Sequence, residues 1–286
     1  MLKIGMSSCA FALNEESFRN IAEKDIKNIE ISMAYAKYPE IDYAEVKRLA
    51  DAYGVKLWSY HLPFGGVNVL DIASRDEDMR RRSVEYWSEL IRKGANIGID
   101  KFVAHPSSEP KSEDPETREQ EIEQSQRSLA TLAEVAGENG AVIAVEDLPR
   151  SCLGRTSEEL LRLVSADPRL GICFDTNHLL AEDLYDFADR IAYKIVTVHI
   201  SDYDFVNERH WLPGEGKIDW QRLYNKLIAN GYKGVWMYEI GLRCPKTIIR
   251  DRALTPEDFA RNAREIFEDR ELTVIGRQKE NLGMWE

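Results

Sequence analysis

Histidines and carboxylates follow apolar runs at several points along the chain. All five histidines belong to this pattern, four at or just after an apolar run and the fifth in a short loop. The set comprises His61 in WSYHLP, His105 in KFVAHP, Glu146 in AVIAVED, Asp175 in GICFD, His178 in CFDTNH, His199 in IVTVHISD, His210 in ERHWLPGEG and Glu239 in VWMYE. Imidazole and carboxylate groups bind divalent metal ions and transfer protons. Their recurrence at the same structural place predicts one pocket assembled from distant segments.

Eight short apolar runs, rich in Val, Ile and aromatic residues, are the candidate strands that carry these side chains. They span residues 3–7, 28–32, 56–61, 101–105, 141–146, 170–175, 194–200 and 234–240. Such continuous apolar character is typical of strands buried on both faces of a parallel sheet. Amphipathic patterns between them predict helices over residues 14–24, 42–53, 76–94, 115–139, 156–165, 182–191, 218–230 and 256–268.

The alternation of these elements predicts an α/β fold, a single-domain (β/α)8 TIM barrel over residues 1–286. The barrel would occupy about residues 1–268, and the C-terminal tail 269–286 would lie on its outside. The polar insert 107–114 is expected to be mobile. The alternative is an open, doubly wound sheet, which would need a Gly-rich phosphate loop after its first strand. The segment GMSSCAF lacks that pattern.

The composition excludes several classes of function. The chain has a net charge of −12, and an acidic chain is poorly suited to nucleic acid, because that affinity rests on neutralising phosphates. No apolar stretch approaches the roughly 20 residues that a membrane span requires. The N-terminus lacks the layout of a signal peptide, and the four cysteines include no CxxC pair. We therefore expect a cytoplasmic protein that has neither a membrane nor a nucleic-acid partner.

In a (β/α)8 barrel the active site lies at the C-terminal ends of the strands. Strands 3 to 8 would end there in His61, His105, Glu146, Asp175, His199 and Glu239. Any one of these is as readily a hydrogen-bonded polar group, but six buried charges would each need a partner, which a shared cation supplies. Strands 5 to 8 contribute three carboxylates and one imidazole. This oxygen-rich set favours Mn²⁺, Mg²⁺ or Co²⁺ and leaves Zn²⁺ open.

Several motifs occur in the order in which a known family carries them. They are Glu146 in VEDLP, Asp175 and His178 in FDTNH, His199 and Asp202 in VHISD, PGEG-x-IDW at 213–220, and Glu239 in MYEIG. On these residues the chain resembles the xylose-isomerase-like TIM barrel superfamily. This superfamily includes sugar-phosphate isomerases and epimerases, ketose 3-epimerases, inosose dehydratases and endonuclease IV. The resemblance covers nearly all of residues 1–268.

The resemblance implies an enzyme that uses one divalent metal ion, Mn²⁺, Co²⁺, Mg²⁺ or Zn²⁺. The implied metal ligands are Glu146, Asp175, His199 and Glu239. Of these, Glu146 and Glu239 would also transfer protons on opposite faces of a bound sugar. The implied substrate-binding residues are His61, His105, His178, Arg209 and His210. The expected reaction is isomerisation or epimerisation of a sugar, sugar phosphate or cyclitol through an enediolate. Barrels of this type commonly form dimers or tetramers, so a homo-oligomer is compatible with the resemblance.

Three other functions remain open at this stage. A lyase that removes a β-hydroxyl from a keto-sugar or inosose would use the same residues. An endonuclease-IV-like enzyme would use a three-metal cluster, but this chain has Glu208-x-His210 where the nuclease has Asp-x-His, and its charge is unfavourable. A non-catalytic sugar-binding barrel would not need two metal-facing glutamates.

A basic segment follows strand 8 and invites two interpretations. It contains Arg243, Lys246, Arg250 and Arg252. Loops after strands 7 and 8 often bind phosphate in these barrels, so the segment could bind a phosphate or carboxylate. The alternative is a solvated face whose arginines pair with the neighbouring acids Asp251, Glu257 and Asp258.

Overall fold

The computed structural model describes residues 1–280 and 282–283, and its long strands lie on the predicted apolar runs. The barrel strands are β1 (Lys3–Ser7), β2 (Asn28–Ile31), β3 (Lys56–His61), β4 (Lys101–Ala104), β5 (Val142–Glu146), β6 (Gly171–Asp175), β7 (Ile195–His199) and β8 (Val235–Tyr238). Two short strands, β9 (Ile248–Ile249) and β10 (Arg277–Gln278), lie outside this set. Each predicted strand therefore corresponds to one barrel strand.

A helix follows each barrel strand. The helices are α1 (Glu15–Glu23), α2 (Tyr43–Tyr53), α3 (Glu77–Asn96), α4 (Pro115–Glu138), α5 (Ser157–Val164), α6 (Leu184–Ile191), α7 (Trp220–Ala229) and α8 (Pro256–Phe267). Their ends follow local chemistry: the Asp42 side chain accepts the Glu45 N–H at the start of α2, and Gly54 ends that helix at φ +62°. Among the described helices, none combines the length and apolar character needed to cross a membrane.

The eight barrel strands form one parallel sheet that closes on itself. Their order is β7-β6-β5-β4-β3-β2-β1-β8. The two outer strands meet just beyond β7, where the Ile200 N–H donates to the Met237 carbonyl over 2.8 Å and Ile200 pairs with Tyr238. The predicted single-domain (β/α)8 barrel is confirmed. Because all strands run in the same direction, their C-terminal ends share one rim.

Strand alternation places the polar strand ends above an apolar floor. Residues two apart on a strand point to the same face, and Ala144 and Cys173 lie two positions before Glu146 and Asp175. Ala144, Cys173 and Val103 are fully buried and pack together in a small cluster separate from the main core. The larger core lies between the sheet and the helices. The polar side chains at the strand ends therefore lie above small apolar side chains inside the barrel.

Two of the four basic residues in the segment after β8 form ion pairs with acidic side chains of the same chain. Arg250 and Glu215 are both fully buried as side chains, and Arg250 Nε donates to Glu215 Oε1 over 2.9 Å. Arg252 pairs with Asp258. Arg250 and Arg252 are therefore not available to a phosphate, and the expected local ion pair between Arg252 and Asp258 is present, whereas Arg243 and Lys246 are exposed. β10 pairs with β9, and Gln278 Nε2 donates to the Glu215 carbonyl over 2.8 Å, so the tail packs over this segment.

The insert 107–114 is anchored more firmly than its polar composition suggests. Ser107, Ser108 and Lys111 are buried. The Lys111 ammonium forms an ion pair with Asp71, which also accepts the Ser108 N–H. A buried ion pair holds both partners in place, because separating them would leave an uncompensated charge.

We expect Arg250→Ala to destabilise the protein far more than Arg243→Ala. Loss of the Arg250 guanidinium leaves the Glu215 carboxylate buried and unpaired, which costs about 3–5 kcal/mol in comparable cases. Arg243 is exposed in the same segment and serves as the matched control. Urea unfolding would give the free energy of unfolding of both variants. Equal stabilities would contradict a structural role for Arg250.

Candidate active site

The C-terminal rim of the barrel brings the predicted site residues together. Glu146, Asp175 and His199 are the last residues of β5, β6 and β7, and Glu239 follows the last residue of β8. The first three are fully buried. Because strands that share a rim deliver their terminal side chains to one place, four elements distant in sequence meet here.

Glu146 lies at the centre of this arrangement. One of its oxygens, Oε2, lies 3.2 Å from His61 Nε2 and 3.1 Å from His105 Nε2. The other, Oε1, lies 2.8 Å from His199 Nδ1. Burial alone would raise the pKa of Glu146, but the neighbouring His199, His105 and His61 imidazoles hold that pKa well below its usual range. The lowered pKa favours the ionised carboxylate, which is the form that binds a metal ion or accepts a proton.

The other three predicted ligands surround the same point. His199 Nδ1 lies 3.2 Å from Glu239 Oε2 and 3.7 Å from Asp175 Oδ2. One potential ligand atom from each of Glu146, Asp175, His199 and Glu239 lies within 4.8 Å of the others. The site thus offers the three carboxylates and one imidazole that suit an oxygen-preferring divalent cation.

Asp175 gives the strongest sign that a cation belongs in this cluster. Its Oδ2 atom is buried and has no hydrogen-bond partner among the described residues. Burial raises the pKa of Asp175 well above its usual value, and the negative charges of Glu146 and Glu239 raise it further. Three carboxylates this close cannot all ionise unless a positive charge compensates them. A divalent ion would satisfy both the orphaned oxygen and the excess negative charge.

A second group of possible metal ligands lies nearer the pocket mouth. His178, Glu208 and His210 also offer ligand atoms within 4.8 Å of one another. His178 Nδ1 is 2.8 Å from the Asp147 carbonyl and His210 Nδ1 is 3.2 Å from the Glu239 carbonyl. Because a backbone carbonyl only accepts, Nδ1 is the donor in both histidines. Their Nε2 atoms therefore remain for a ligand.

The site opens into a pocket of about 750 Å³. Predicted residues among its lining are His61, His105, Glu146, His178, His210 and Glu239. On one wall the Phe64 ring stacks on the His105 imidazole, with 4.6 Å between ring centres, and remains 51% exposed. The pocket therefore combines polar groups at its base with an apolar surface beside them, a combination that suits a small polyhydroxylated molecule.

Three charged residues, which we call the rim triad, line the pocket farther out: Glu109, Arg150 and Glu208. Arg150 donates two hydrogen bonds to Glu109, with Nε–Oε1 and Nη2–Oε2 distances of 2.8 and 2.7 Å. Its third nitrogen lies 2.6 Å from Glu208 Oε1. Arg150 is the one Lys or Arg side chain among the described pocket residues, and its charge is already opposed by two carboxylates.

Arg209, which the resemblance implied to be a substrate-binding residue, does not lie among the pocket residues. Its Nε atom donates to Asp204 Oδ2 over 2.9 Å, and another nitrogen donates to the Gly283 carbonyl over 2.7 Å. This arrangement does not support a substrate contact, because the guanidinium is buried in bonds that hold loop 203–216 and the tail. The neighbouring His210 does line the pocket.

The sequence reasoning missed Glu30 and the pairing within the rim triad. Glu30 is fully buried on β2, and its Oε2 atom lies 3.0 Å from His199 Nε2. A charged residue inside the apolar run NIEIS was the available signal, since a buried carboxylate requires a partner. No comparable signal exists for Glu109 and Arg150, because they lie in loops of ordinary polar composition.

Comparison with known proteins agrees with this architecture. A protein-family model described as "Xylose isomerase-like TIM barrel" matches residues 18–268. An uncharacterised protein of Methanocaldococcus jannaschii is 30% identical over 247 residues, 82% of each chain. Fructoselysine 3-epimerase of Shigella flexneri is 25% identical over 279 residues, covering 90% of this chain and 99% of that protein. The crystal structure of a D-tagatose 3-epimerase-like protein superposes with a TM-score of 0.77 at 25% identity, covering 94% and 96% of the two chains. The resemblance noted from the motifs is confirmed.

The ligand cluster predicts a defined loss of metal binding in Asp175→Asn. The neutral amide removes one negative charge from the four-residue group. Loss of a residue that only hydrogen-bonds a metal ligand lowers metal affinity roughly 10–100-fold. We expect the Mn²⁺ affinity of Asp175→Asn to fall at least as far. Glu208→Gln, in the separate group near the pocket mouth, is the matched control and should retain the ion. Titration calorimetry on chelator-treated protein measures both. A larger loss in Glu208→Gln would place the principal ion near the mouth instead.

Proposed function

The chain belongs to the xylose isomerase-like TIM barrel family, and we propose that it is a divalent-metal-dependent sugar epimerase or isomerase. The observation that carries the proposal is the different position of the four predicted ligands relative to the pocket. Glu146 and Glu239 line the pocket, whereas Asp175 and His199 do not. Two residues of the metal-binding group can therefore also touch a substrate, and both are carboxylates that could act as bases.

The proposed chemistry is proton transfer at the carbon beside a ketone. When held by Glu146, Asp175, His199 and Glu239, a divalent cation supplies the Lewis acidity that polarises a keto-sugar and acidifies the adjacent C–H. One of the two pocket glutamates then accepts that proton, which converts the sugar to its enediolate. The other glutamate, which starts as the carboxylic acid, donates its proton to the same carbon from the opposite face, so the configuration inverts and the two glutamates exchange protonation states. Return to the neighbouring carbon isomerises the sugar instead.

The histidines of the pocket orient the reacting groups. His61 and His105 both contact Glu146 Oε2 and so restrain that carboxylate. His178 and His210 present their Nε2 atoms on the side of the pocket mouth, where they can bond sugar oxygens. Each of these two imidazoles is held through Nδ1 by a backbone carbonyl, which limits its rotation before substrate arrives.

The names of the relatives support the same reaction class. The curated relative in Shigella flexneri is a fructoselysine 3-epimerase, and the superposed structure is a D-tagatose 3-epimerase-like protein. A lyase would begin with the same proton abstraction and would then expel a β-hydroxyl. The two activities differ in their product, which is an isomer for the epimerase and a dehydrated sugar for the lyase.

A metal-dependent phosphodiesterase of the endonuclease IV type is the second candidate function. It is favoured by one observation, the presence of more than one possible ligand group around the pocket. These groups include His61, His105 and Glu146; Glu146, Asp175, His199 and Glu239; and His178, Glu208 and His210. The charge of the chain, −12, and the two carboxylates of the rim triad oppose a polyanionic substrate. Two or three zinc ions per chain, together with cleavage of abasic DNA, would establish this function.

The rim triad favours a substrate without a phosphate. A phosphate group is normally bound by free cations or helix N-termini. Here the pocket arginine is already engaged by Glu109 and Glu208, which leaves the triad with a net negative charge. We therefore propose an unphosphorylated keto-sugar as the substrate, with a neutral or cationic substituent toward the rim.

Glu239→Gln should abolish most turnover of an identified keto-sugar, lowering kcat by roughly 10²–10⁴-fold because an amide cannot accept the proton. Deuterium incorporation from D₂O beside the carbonyl, followed by mass spectrometry, measures the proton transfer directly. Metal content is measured in parallel, since Glu239 is also a proposed ligand. Glu45→Gln, on the surface of α2, is the control. Unchanged exchange in metal-loaded Glu239→Gln would remove this residue from the mechanism.

The free keto-sugar should be a better substrate than its phosphate ester by about tenfold or more in kcat/KM, since repulsion of only about 1.4 kcal/mol gives that ratio. Glu109→Gln should narrow the difference, because it leaves part of the Arg150 charge available. Steady-state kinetics on both sugars with wild type and variant provides the measurement. A preference for the phosphate ester would contradict the assignment.

A further inference from the structure

Glu30 is a buried carboxylate that lies behind the predicted metal site. It belongs to β2, and both it and His199 are fully buried. Glu30 Oε2 accepts a hydrogen bond from the Ser59 hydroxyl over 2.8 Å and lies 3.0 Å from His199 Nε2. Glu30 is not among the residues that line the pocket. It therefore contacts the predicted ligand His199 without reaching a substrate.

The His199 ring has the opposite orientation to the rings of His61, His178 and His210. In His61, His178 and His210, Nδ1 faces a carbonyl oxygen and Nε2 is left for the site. In His199, Nε2 faces Glu30, and Nδ1 faces Glu146, at 2.8 Å, and Glu239, at 3.2 Å. An acidic side chain on the far side of the ring accompanies this reversal.

We infer that Glu30 is a positioning residue that keeps the Nε2–H tautomer of His199 and so aims the Nδ1 lone pair into the metal site. The inference rests on the metal-binding part of the proposed function. A neutral imidazole carries one N–H donor and one acceptor, and an ionised carboxylate can only accept. Without a metal ion both ring nitrogens face carboxylates, but when a cation takes the place of the proton beside Nδ1, the contact with Glu30 keeps the remaining ring proton on Nε2. Nδ1 is then the nitrogen that can coordinate an ion.

The second consequence of this contact is electrostatic. A carboxylate that accepts the outer N–H of a ligating imidazole increases the basicity of the coordinating nitrogen. The remaining oxygen of Glu30, Oε1, is buried without a hydrogen-bond partner among the described residues. Among the described residues, the hydrogen-bond partners of the Glu30 carboxyl group are therefore Ser59 and His199. This concentrates its influence on the one imidazole of the predicted ligand set.

A purely structural role for Glu30 would have different consequences. Filling the space between Ser59 on β3 and His199 on β7 would require a side chain of similar shape, which glutamine supplies. Glu30→Gln is therefore the discriminating variant, because it keeps the volume and removes the charge. Ser59→Ala is the matched control, since it removes the other hydrogen bond to Glu30 and leaves the Glu30–His199 contact in place.

The first measurement compares metal binding in chelator-treated wild type, Glu30→Gln and Ser59→Ala. We expect the Mn²⁺ dissociation constant of Glu30→Gln to rise roughly 10–100-fold, with the Tm of the metal-free protein close to that of wild type. Ser59→Ala should bind Mn²⁺ within a few-fold of wild type. A Glu30→Gln variant that folds and binds Mn²⁺ as tightly as wild type would overturn the inference. An equal weakening in Ser59→Ala would do the same.

The second measurement needs no variant at Glu30. In the diamagnetic Zn²⁺ or Mg²⁺ complex of wild type, ¹⁵N NMR of labelled histidine should show the His199 proton on Nε2, with assignment by loss of the signal in His199→Gln. A proton on Nδ1 in the complex would overturn the inference even if Glu30→Gln failed to fold. Because neither readout uses a sugar, Glu30-dependent metal binding would stand if no sugar were turned over. If the wild-type protein bound none of these ions, both the role of Glu30 and the metal-dependent proposed function would be refuted.

Discussion

The arrangement of this protein depends on the concentration of buried carboxylates around one imidazole. Glu30, Glu146, Asp175 and Glu239 all lie within 4 Å of a His199 ring nitrogen. Removing so many negative charges from water is costly unless a cation or protons compensate them. Asp175 shows that this compensating charge is missing: its Oδ2 atom has no hydrogen-bond partner among the described residues, and the pKa of its carboxyl group is raised. A divalent ion bound at this position would compensate the negative charges, so that the buried carboxylates would stabilise the fold.

The closed barrel makes such a concentration possible. Parallel strands end at one rim, and alternation along each strand directs the terminal polar residue inward above Ala144 and Cys173. The loops are then fixed by polar contacts of their own. The Asp202 carboxylate accepts hydrogen bonds from the Gly214 and Gly216 N–H groups at 2.8 and 3.0 Å and from Trp220 Nε1 at 2.8 Å. These contacts hold the loop that carries Glu208 and His210 against the pocket.

The pocket has charged side chains at its base and at its mouth, and the two sets have different consequences. At the base, the carboxylates form the proposed cation site and are the groups proposed to exchange protons. At the mouth, the rim triad neutralises the pocket arginine with two carboxylates. The base is shared by the several reaction classes of this family, because proton abstraction beside a carbonyl begins all of the sugar reactions considered. In the proposed function the rim triad distinguishes substrates, while the residues at the base carry out the proton transfer.

The sequence by itself determined the fold class and the principal cluster, because both follow from local patterns. Short apolar runs predicted the eight strands, six of these runs carry a His or an acid at or near their end, and parallel strands bring their ends to one rim. Tertiary structure alone decided which way each side chain is used. Arg209 lies in a polar loop, and only the folded loop directs its guanidinium to Asp204 instead of the pocket. Glu30 and His199 are 169 residues apart, and barrel closure alone brings the carboxylate to the imidazole. Such contacts depend on three-dimensional side-chain direction, which no one-dimensional spacing encodes.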